Sequence, residues 1–225
     1  MRLGLLGGTF DPPHVGHLLA ASDAFELLEL NRLVFVPAAQ QPLKSGLPGT
    51  APEIRLRLLE EMVADDRRFT VDPLEIRRNG LSFTVDTLEE YARRYPHDER
   101  FFLMGEDVYA SLESWREPAR VVTLAQLVVL TRGRGAVGAV AGEGVAGSTG
   151  SVSRESGTEA LEVRRVWERI RALGAVEASA PVILSTRRID VSSTEIRERV
   201  RLGKPIRGFV TEAVARFVEA NGLYR

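Results

Sequence analysis

The sequence predicts an α/β fold, a doubly wound parallel sheet with a small helical part at its C-terminal end. Three observations carry this prediction. Short apolar runs closed by turn residues alternate with longer stretches of helical period along most of the 225 residues, the pattern of strands joined by crossover helices. The first run passes through glycines and a diproline straight into a helical stretch. The last two capped helical stretches follow one another with no strand between them.

The elements follow in order. Arg2 to Leu6 reads as the first strand, leading into Gly7 and Gly8. Pro12 and Pro13 cannot continue a strand, and apolar residues then recur at helical spacing to Leu27 and Leu28. Arg32 to Pro37 is the second strand, stopped by its proline, and Ala38 to Gly49 is a mobile loop rich in glycine and proline. Thr50 and Glu53 have capping-box spacing and open a helix to about Val63. Phe69 to Ile76 reads as extended. Thr84 is read as the cap of a helix that ends near Tyr95, before Pro96. Arg100 to Met104, Gln126 to Thr131 and Pro181 to Leu184 are further strands. Thr158 to Leu173, Ser192 to Leu202 and Thr211 to Ala220 are helices, the last two closed by Gly203 and Gly222.

From Gly133 to Gly157 the composition shifts to Gly, Ala, Ser and Val without period, the signature of a flexible insertion. Its first six residues fit G-x-G-x-x-G, but no helix pattern begins there, and that motif signifies a dinucleotide site only between a strand and a helix. The chain therefore reads as one domain, residues 1–225, with an insertion at 133–157 and a helical part at 192–225.

Composition narrows the function. The formal net charge is −1, which gives no footprint for nucleic acid. There is no cysteine, so disulfides and thiolate metal sites are excluded. No stretch has the length and hydrophobicity of a signal peptide or a membrane span, which leads to the expectation of a cytoplasmic protein.

Two stretches carry chemistry. In Gly8-Thr-Phe-Asp-Pro-Pro-His-Val-Gly-His17, glycines allow close backbone approach and a helix start offers free N–H groups to an anion. Two of the chain's three histidines, His14 and His17, lie here three apart, on one helical face. A metal pair is the alternative for them. Asp11 either braces the turn or binds Mg²⁺. In Asp190-Val-Ser-Ser-Thr-Glu-Ile-Arg197, Ser192 and Glu195 fit a capping box, which leaves the hydroxyls of Ser193 and Thr194 turned outward on the side of Arg197. Hydroxyls, helix-end amides and a guanidinium together suit a polyphosphate.

The two stretches together resemble the paired signature of the nucleotidylyltransferase superfamily, and within it the bacterial nicotinate-mononucleotide adenylyltransferases. The resemblance extends to Val36-Pro37, Pro42 and Lys44, Leu81 to Leu88, Gly105-Glu-Asp107, Trp115, Val129 to Arg132, and Leu223-Tyr224. It implies a Rossmann-type fold and a reaction joining the phosphate of nicotinate mononucleotide to the α-phosphorus of ATP, which releases pyrophosphate. By that resemblance His14, His17 and Arg197 are catalytic. Gly8, Thr9, Phe10, Gly105, Asp107, Ser192, Ser193 and Thr194 join His17 and Arg197 in holding ATP. Lys44, Phe83, Thr84, Trp115 and Arg132 bind the mononucleotide. Mg²⁺ is expected on the ATP phosphates, without a dedicated protein ligand. Taken singly, Trp115 reads as core, Asp107 and Thr84 as helix caps, and Lys44 as a solvated charge; only their joint match to one family pattern gives them these roles. The chain departs from the family pattern at Leu43, where a histidine is usual, at Glu106, at Thr211, where a proline is common, and in the insertion. Other members of the superfamily, a pantetheine-phosphate adenylyltransferase or a cytidylyltransferase, and a non-catalytic nucleotide-binding protein are the competing readings. The choice between nicotinate and nicotinamide, and whether copies of the chain form a homo-oligomer, are left open.

Overall fold

The apolar runs pair into one seven-stranded sheet. The computed structural model describes residues 1–42, 49–132, 138–140, 157–175 and 177–225. The strands are β1 (Arg2–Gly8), β2 (Arg32–Pro37), β3 (Phe69–Val71), β4 (Glu99–Gly105), β5 (Gln126–Arg132), β6 (Gly138–Val140) and β7 (Val182–Thr186). Their order is β3-β2-β1-β4-β5-β7-β6. Six are parallel, and β6 pairs antiparallel with β7 at the edge. The chain winds outward from β1 to β3, then returns to place β4 on the other side of β1. That reversal opens a crevice beyond the carboxyl ends of β1 and β4, where ligands of open α/β sheets bind.

Strand alternation sorts the core into two layers. Phe101 and Leu103 of β4 face one side, and Phe102 and Met104 face the other. On the first side pack α1 (Val15–Leu27), α2 (Pro52–Val63), α8 (Ser193–Arg201) and α9 (Glu212–Ala220). On the second pack α4 (Thr84–Arg94), α5 (Glu106–Tyr109), α6 (Pro118–Leu124) and α7 (Gly157–Ala172). A short α3 (Leu74–Arg78) follows β3. Any larger residue at Gly4 would force neighbouring leucine side chains to move. A Cβ there would lie 2.5 Å from the Leu30 side chain and 3.3 Å from Leu33.

Four local expectations are corrected. The N-cap of α2 is Ala51, and the Thr50 side chain makes no capping bond, because Pro52 in the first turn sets the helix start one residue later. Phe69 to Ile76 is extended only to Val71, since Asp72 accepts from the Leu74 amide and turns the chain into α3. Thr84 is the first residue of α4, and its cap is the extended Phe83. Within the glycine-rich insertion, residues 138–140 are a strand, because the free edge of β7 gives their backbone a partner. Residues 133–137 and 141–156 of the insertion lie outside the described residues, as do residues 43–48 of the loop from Ala38 to Gly49. By contrast, Ser192 and Thr211 do cap α8 and α9, accepting from the amides of Glu195 and Val214.

Leu103 is fully buried in a central strand. Leu103→Ala is expected to lower the free energy of unfolding by about 2–5 kcal/mol, measured by urea denaturation.

Candidate active site

The loop from Thr9 to His14, directly after β1, crosses the crevice with no regular secondary structure of its own, so other elements must hold it. Phe10 has a φ of 53°, in the left-handed region, and its ring is buried over Gly8. A Cβ on Gly8 would meet that ring at 2.8 Å. The Phe10 ring also meets His17 edge-on, with centroids 5.0 Å apart. His14, 7% exposed, is the N-cap of α1. Its amide donates to Nδ1 of His17 at 3.2 Å, and the two rings stack with centroids 3.7 Å apart. That acceptor role at Nδ1 assigns the ring hydrogen of neutral His17 to Nε2.

The helix α8 and the segments on either side of α9 close on this loop and the start of α1. Arg197 Nη1 donates to the Asp11 carbonyl at 2.6 Å, and Ser193 Oγ donates to the Pro12 carbonyl at 2.8 Å. A second nitrogen of Arg197 reaches Thr194 Oγ1 at 3.2 Å. The Ser193 hydroxyl thus turns onto the loop and not outward, since the Pro12 carbonyl needs a donor. Val15 N–H donates to the Phe209 carbonyl, just before α9. The Asp11 side chain accepts from the Tyr224 hydroxyl at 2.8 Å and from the Thr50 amide at 3.3 Å. Burial, then the nearby Asp11 carboxylate, push the Tyr224 hydroxyl far above its ordinary pKa.

Beneath the loop lies a residue the sequence reading passed over. Arg55, on α2, is 3% exposed. Its guanidinium donates to the carbonyls of Thr50 at 3.0 Å, Thr9 at 2.6 Å, Ala38 at 2.6 Å and Ala39 at 3.0 Å. Burial lowers its pKa, and Asp11 opposes that shift. Its sequence signal is an arginine standing in the apolar stripe of α2 at positions 55, 58, 59, 62 and 63.

The other wall begins where β2 ends. The Ala39 amide donates to Ser82 Oγ at 2.9 Å, and the Ser82 amide donates to the Gln40 carbonyl at 2.8 Å. This pairing sets the segment holding Phe83 and Thr84 beside the chain that follows β2. Behind them Glu75 is 8% exposed and accepts from Thr87 Oγ1 at 2.6 Å. Burial raises its pKa, while hydrogen bonds from Thr87 and Ser82 pull the other way. Arg116 lies over the Phe83 ring, 4.9 Å from its centroid, and pairs with Asp86 at 3.3 Å. Trp115 is half-buried against Phe102, and its indole N–H donates to Ser111 Oγ.

At the end of β4, Gly105 precedes α5, and a Cβ on it would lie 2.8 Å from an Asp107 carboxylate oxygen. Asp107 lies inside the first turn of α5, whose N-cap is Gly105. Ser192 is exposed at the start of α8. Lys44 and Leu43 lie outside the described residues. Arg132 ends β5, and its side chain lies outside what is described. No helix among the described residues is long and apolar enough to cross a membrane.

A mostly parallel sheet whose switch point is faced by two helix starts defines an α/β protein of Rossmann type. Residues 5–199 match the family model described as cytidylyltransferase-like. A protein of Gemmatimonas aurantiaca named "Probable nicotinate-nucleotide adenylyltransferase" is 43% identical over all of this chain and 93% of its own length. A Thermus thermophilus protein of the same name is 41% identical over the full length of both. Among solved structures, the Plasmodium falciparum nicotinic acid mononucleotide adenylyltransferase complexed with NaAD superposes with a TM-score of 0.70 at 14% identity. That match covers 99% of this chain and 97% of the other and speaks to the fold. The chain belongs to the cytidylyltransferase-like family and, within it, to the nicotinate-nucleotide adenylyltransferases.

The buried Glu75 yields a pH dependence. Its folded pKa is raised, so the folded protein keeps a proton that the unfolded chain has lost. The stability this supplies is complete below the ordinary carboxylate range and fades as pH rises through the range above it. Glu75→Gln cannot titrate. Its unfolding free energy relative to wild type is expected to rise from pH 4 to pH 7, measured by urea denaturation across that range.

Proposed function

We propose that this enzyme transfers the adenylyl group of ATP to the phosphate of nicotinate mononucleotide, yielding deamido-NAD and pyrophosphate. The observation that carries the reading is the closure of α8 onto the loop before α1, through Arg197 and Ser193. Two helix starts then flank one crevice, and helix starts favour phosphate.

The nucleophile is a phosphate oxygen, already anionic at neutral pH. It attacks the α-phosphorus, an O–P bond forms, and the bond to the pyrophosphate oxygen breaks. No general base and no covalent enzyme intermediate are needed, so catalysis is positioning and charge neutralisation. His17 donates from Nε2 to the transferring phosphate, and His14, stacked on it, fixes its orientation and meets the triphosphate. Gly8, Thr9 and Phe10 offer main-chain contacts. At α8, Arg197 and the amides of Ser193 and Thr194 receive the leaving pyrophosphate, with Ser192 capping that turn. The Ser193 hydroxyl proton is already given to Pro12, so this residue acts through its backbone. Gly105 and Asp107 hold the ribose and adenine. Thr84 with the Phe83 backbone meets the nicotinate carboxylate, Trp115 stacks on the pyridine ring, and Lys44 and Arg132 lie toward the phosphates.

The donor set suits a Mg²⁺ that arrives on ATP. Asp11, the acid of the loop, has both oxygens engaged by Tyr224 and Thr50. Among the described residues no three His, Asp or Glu side chains are grouped to hold a metal. When bound to the phosphates and water, Mg²⁺ would neutralise part of their charge.

His17→Ala is expected to lower kcat by about 100-fold or more with the thermal midpoint nearly unchanged, read by pyrophosphate release. Unchanged kinetics would reject the mechanism. In the same assay the acid mononucleotide is expected to outpace the amide mononucleotide, with no pyrophosphate formed from phosphopantetheine. A preference for phosphopantetheine would move the chain to the competing reading.

A further inference from the structure

We propose that Arg55 is a positioning residue for ATP, aiming the Phe10 amide into the triphosphate site by holding the Thr9 carbonyl from behind. The proposal deepens the function proposed above and rests on it.

A trans peptide points its C=O and N–H in opposite directions. The Thr9 carbonyl accepts from Arg55 Nη1 at 2.6 Å. The N–H of the same peptide, that of Phe10, therefore points away from the guanidinium. Arg55 is buried beneath the loop, so away from it is away from the core. The next loop contains an observed instance of the same geometry. The Ala38 carbonyl accepts from Arg55 Nη2, and the N–H of that peptide, on Ala39, donates on its far side to Ser82 Oγ. One planar guanidinium thus orients peptides from the loops after β1 and β2 together. Lysine, a point charge without the planar fork, cannot reproduce this.

A second feature separates this role from simple packing. The loop holding Phe10 has no ladder of its own, and Phe10 carries a positive φ. Its peptide plane is set from outside, and Arg55 is the group on its carbonyl. The positive charge also lies behind peptide dipoles whose N–H ends face the anion, so its field and the dipoles act in the same direction.

The test compares the two substrates in Arg55→Lys, with rates normalised to the folded fraction seen by near-UV circular dichroism. Losing one amide contact to an anion is expected to weaken calorimetric ATP binding and kcat/KM for ATP by about tenfold or more, with KM for nicotinate mononucleotide within about threefold of wild type. Equal weakening of both substrates marks a purely structural residue and overturns the proposal, as does unchanged ATP binding. Should Arg55→Lys fail to fold, Arg55→Ala with added methylguanidinium decides. ATP affinity recovering beyond the gain in folded fraction supports the proposal. Recovery that only tracks folding, or no folded protein at all, overturns it. Wild type is assayed in parallel. Wild type that binds ATP but releases no pyrophosphate with the mononucleotide sinks the proposed reaction, and the ATP-binding arm then decides on Arg55. Wild type that does not bind ATP overturns both.

Discussion

The loop between β1 and α1 is short of donors, and the rest of the molecule is arranged around that shortage. Pro12 and Pro13 have no N–H, so the Asp11–Pro12 and Pro12–Pro13 peptides offer only carbonyl oxygens. Leaving such a group buried and unmet costs about 1–3 kcal/mol. Each carbonyl is met by a group that donates. Arg55 serves Thr9, Arg197 serves Asp11 and Ser193 serves Pro12. The donors come from α2 and α8, distant in sequence, so the loop reaches this conformation only when the sheet has brought both helices to the same face. A local motif is in this way made conditional on the whole fold.

The same logic extends to the segment that delivers α8. Asp23, on the buried side of α1, accepts from the backbone amide of Arg187 at 3.0 Å and from its guanidinium at 2.6 Å. Arg187 follows directly on β7. The chain between β7 and α8 is therefore tied to α1 at its start by Asp23, and to the loop before α1 at its end by Ser193 and Arg197. A carboxylate this buried requires a partner, and the partner it finds anchors the segment that leads to the second helix start.

How much of this was legible depends on what each signal is made of. β2 was readable to the residue, since an apolar run ended by proline has few alternatives. The paired stretches 8–17 and 192–197 were readable because glycine, proline and capping residues act locally. Their contact was not, since nothing in Ser193 says which carbonyl its hydroxyl will find. Thr50 and Thr84 show the limit of local rules. Both sit in cap-like contexts, yet the helix starts lie one residue later at α2 and at Thr84 itself in α4, where neighbouring backbone sets the first turn. Arg55 and Asp23 were hidden differently. Each stands among buried helix positions, where periodicity treats a charge as an interruption of the apolar face. An ionised residue inside such a stripe implies unmet carbonyls or amides opposite it, because burial without partners would be too costly. That inference needs only spacing and charge.

The inward turn of Ser193 changes what the second helix start can do. A hydroxyl whose proton is committed to Pro12 presents only lone pairs to an approaching phosphate, which would repel it. On the function proposed above, anion binding there falls to main-chain N–H groups of the first turn and to the nitrogens of Arg197 beyond the one on Asp11. The directions of those main-chain groups are fixed by the helix, and that of Arg197 by its bonds to the Asp11 carbonyl and Thr194 Oγ1. His17 has the same character, since the His14 amide occupies Nδ1 and leaves Nε2 as the donor. Donors held by a second contact, as Arg197 and His17 are, reorganise little when charge moves from nucleophile to leaving group. Low reorganisation is the physical requirement for adenylyl transfer when the nucleophile needs no activation.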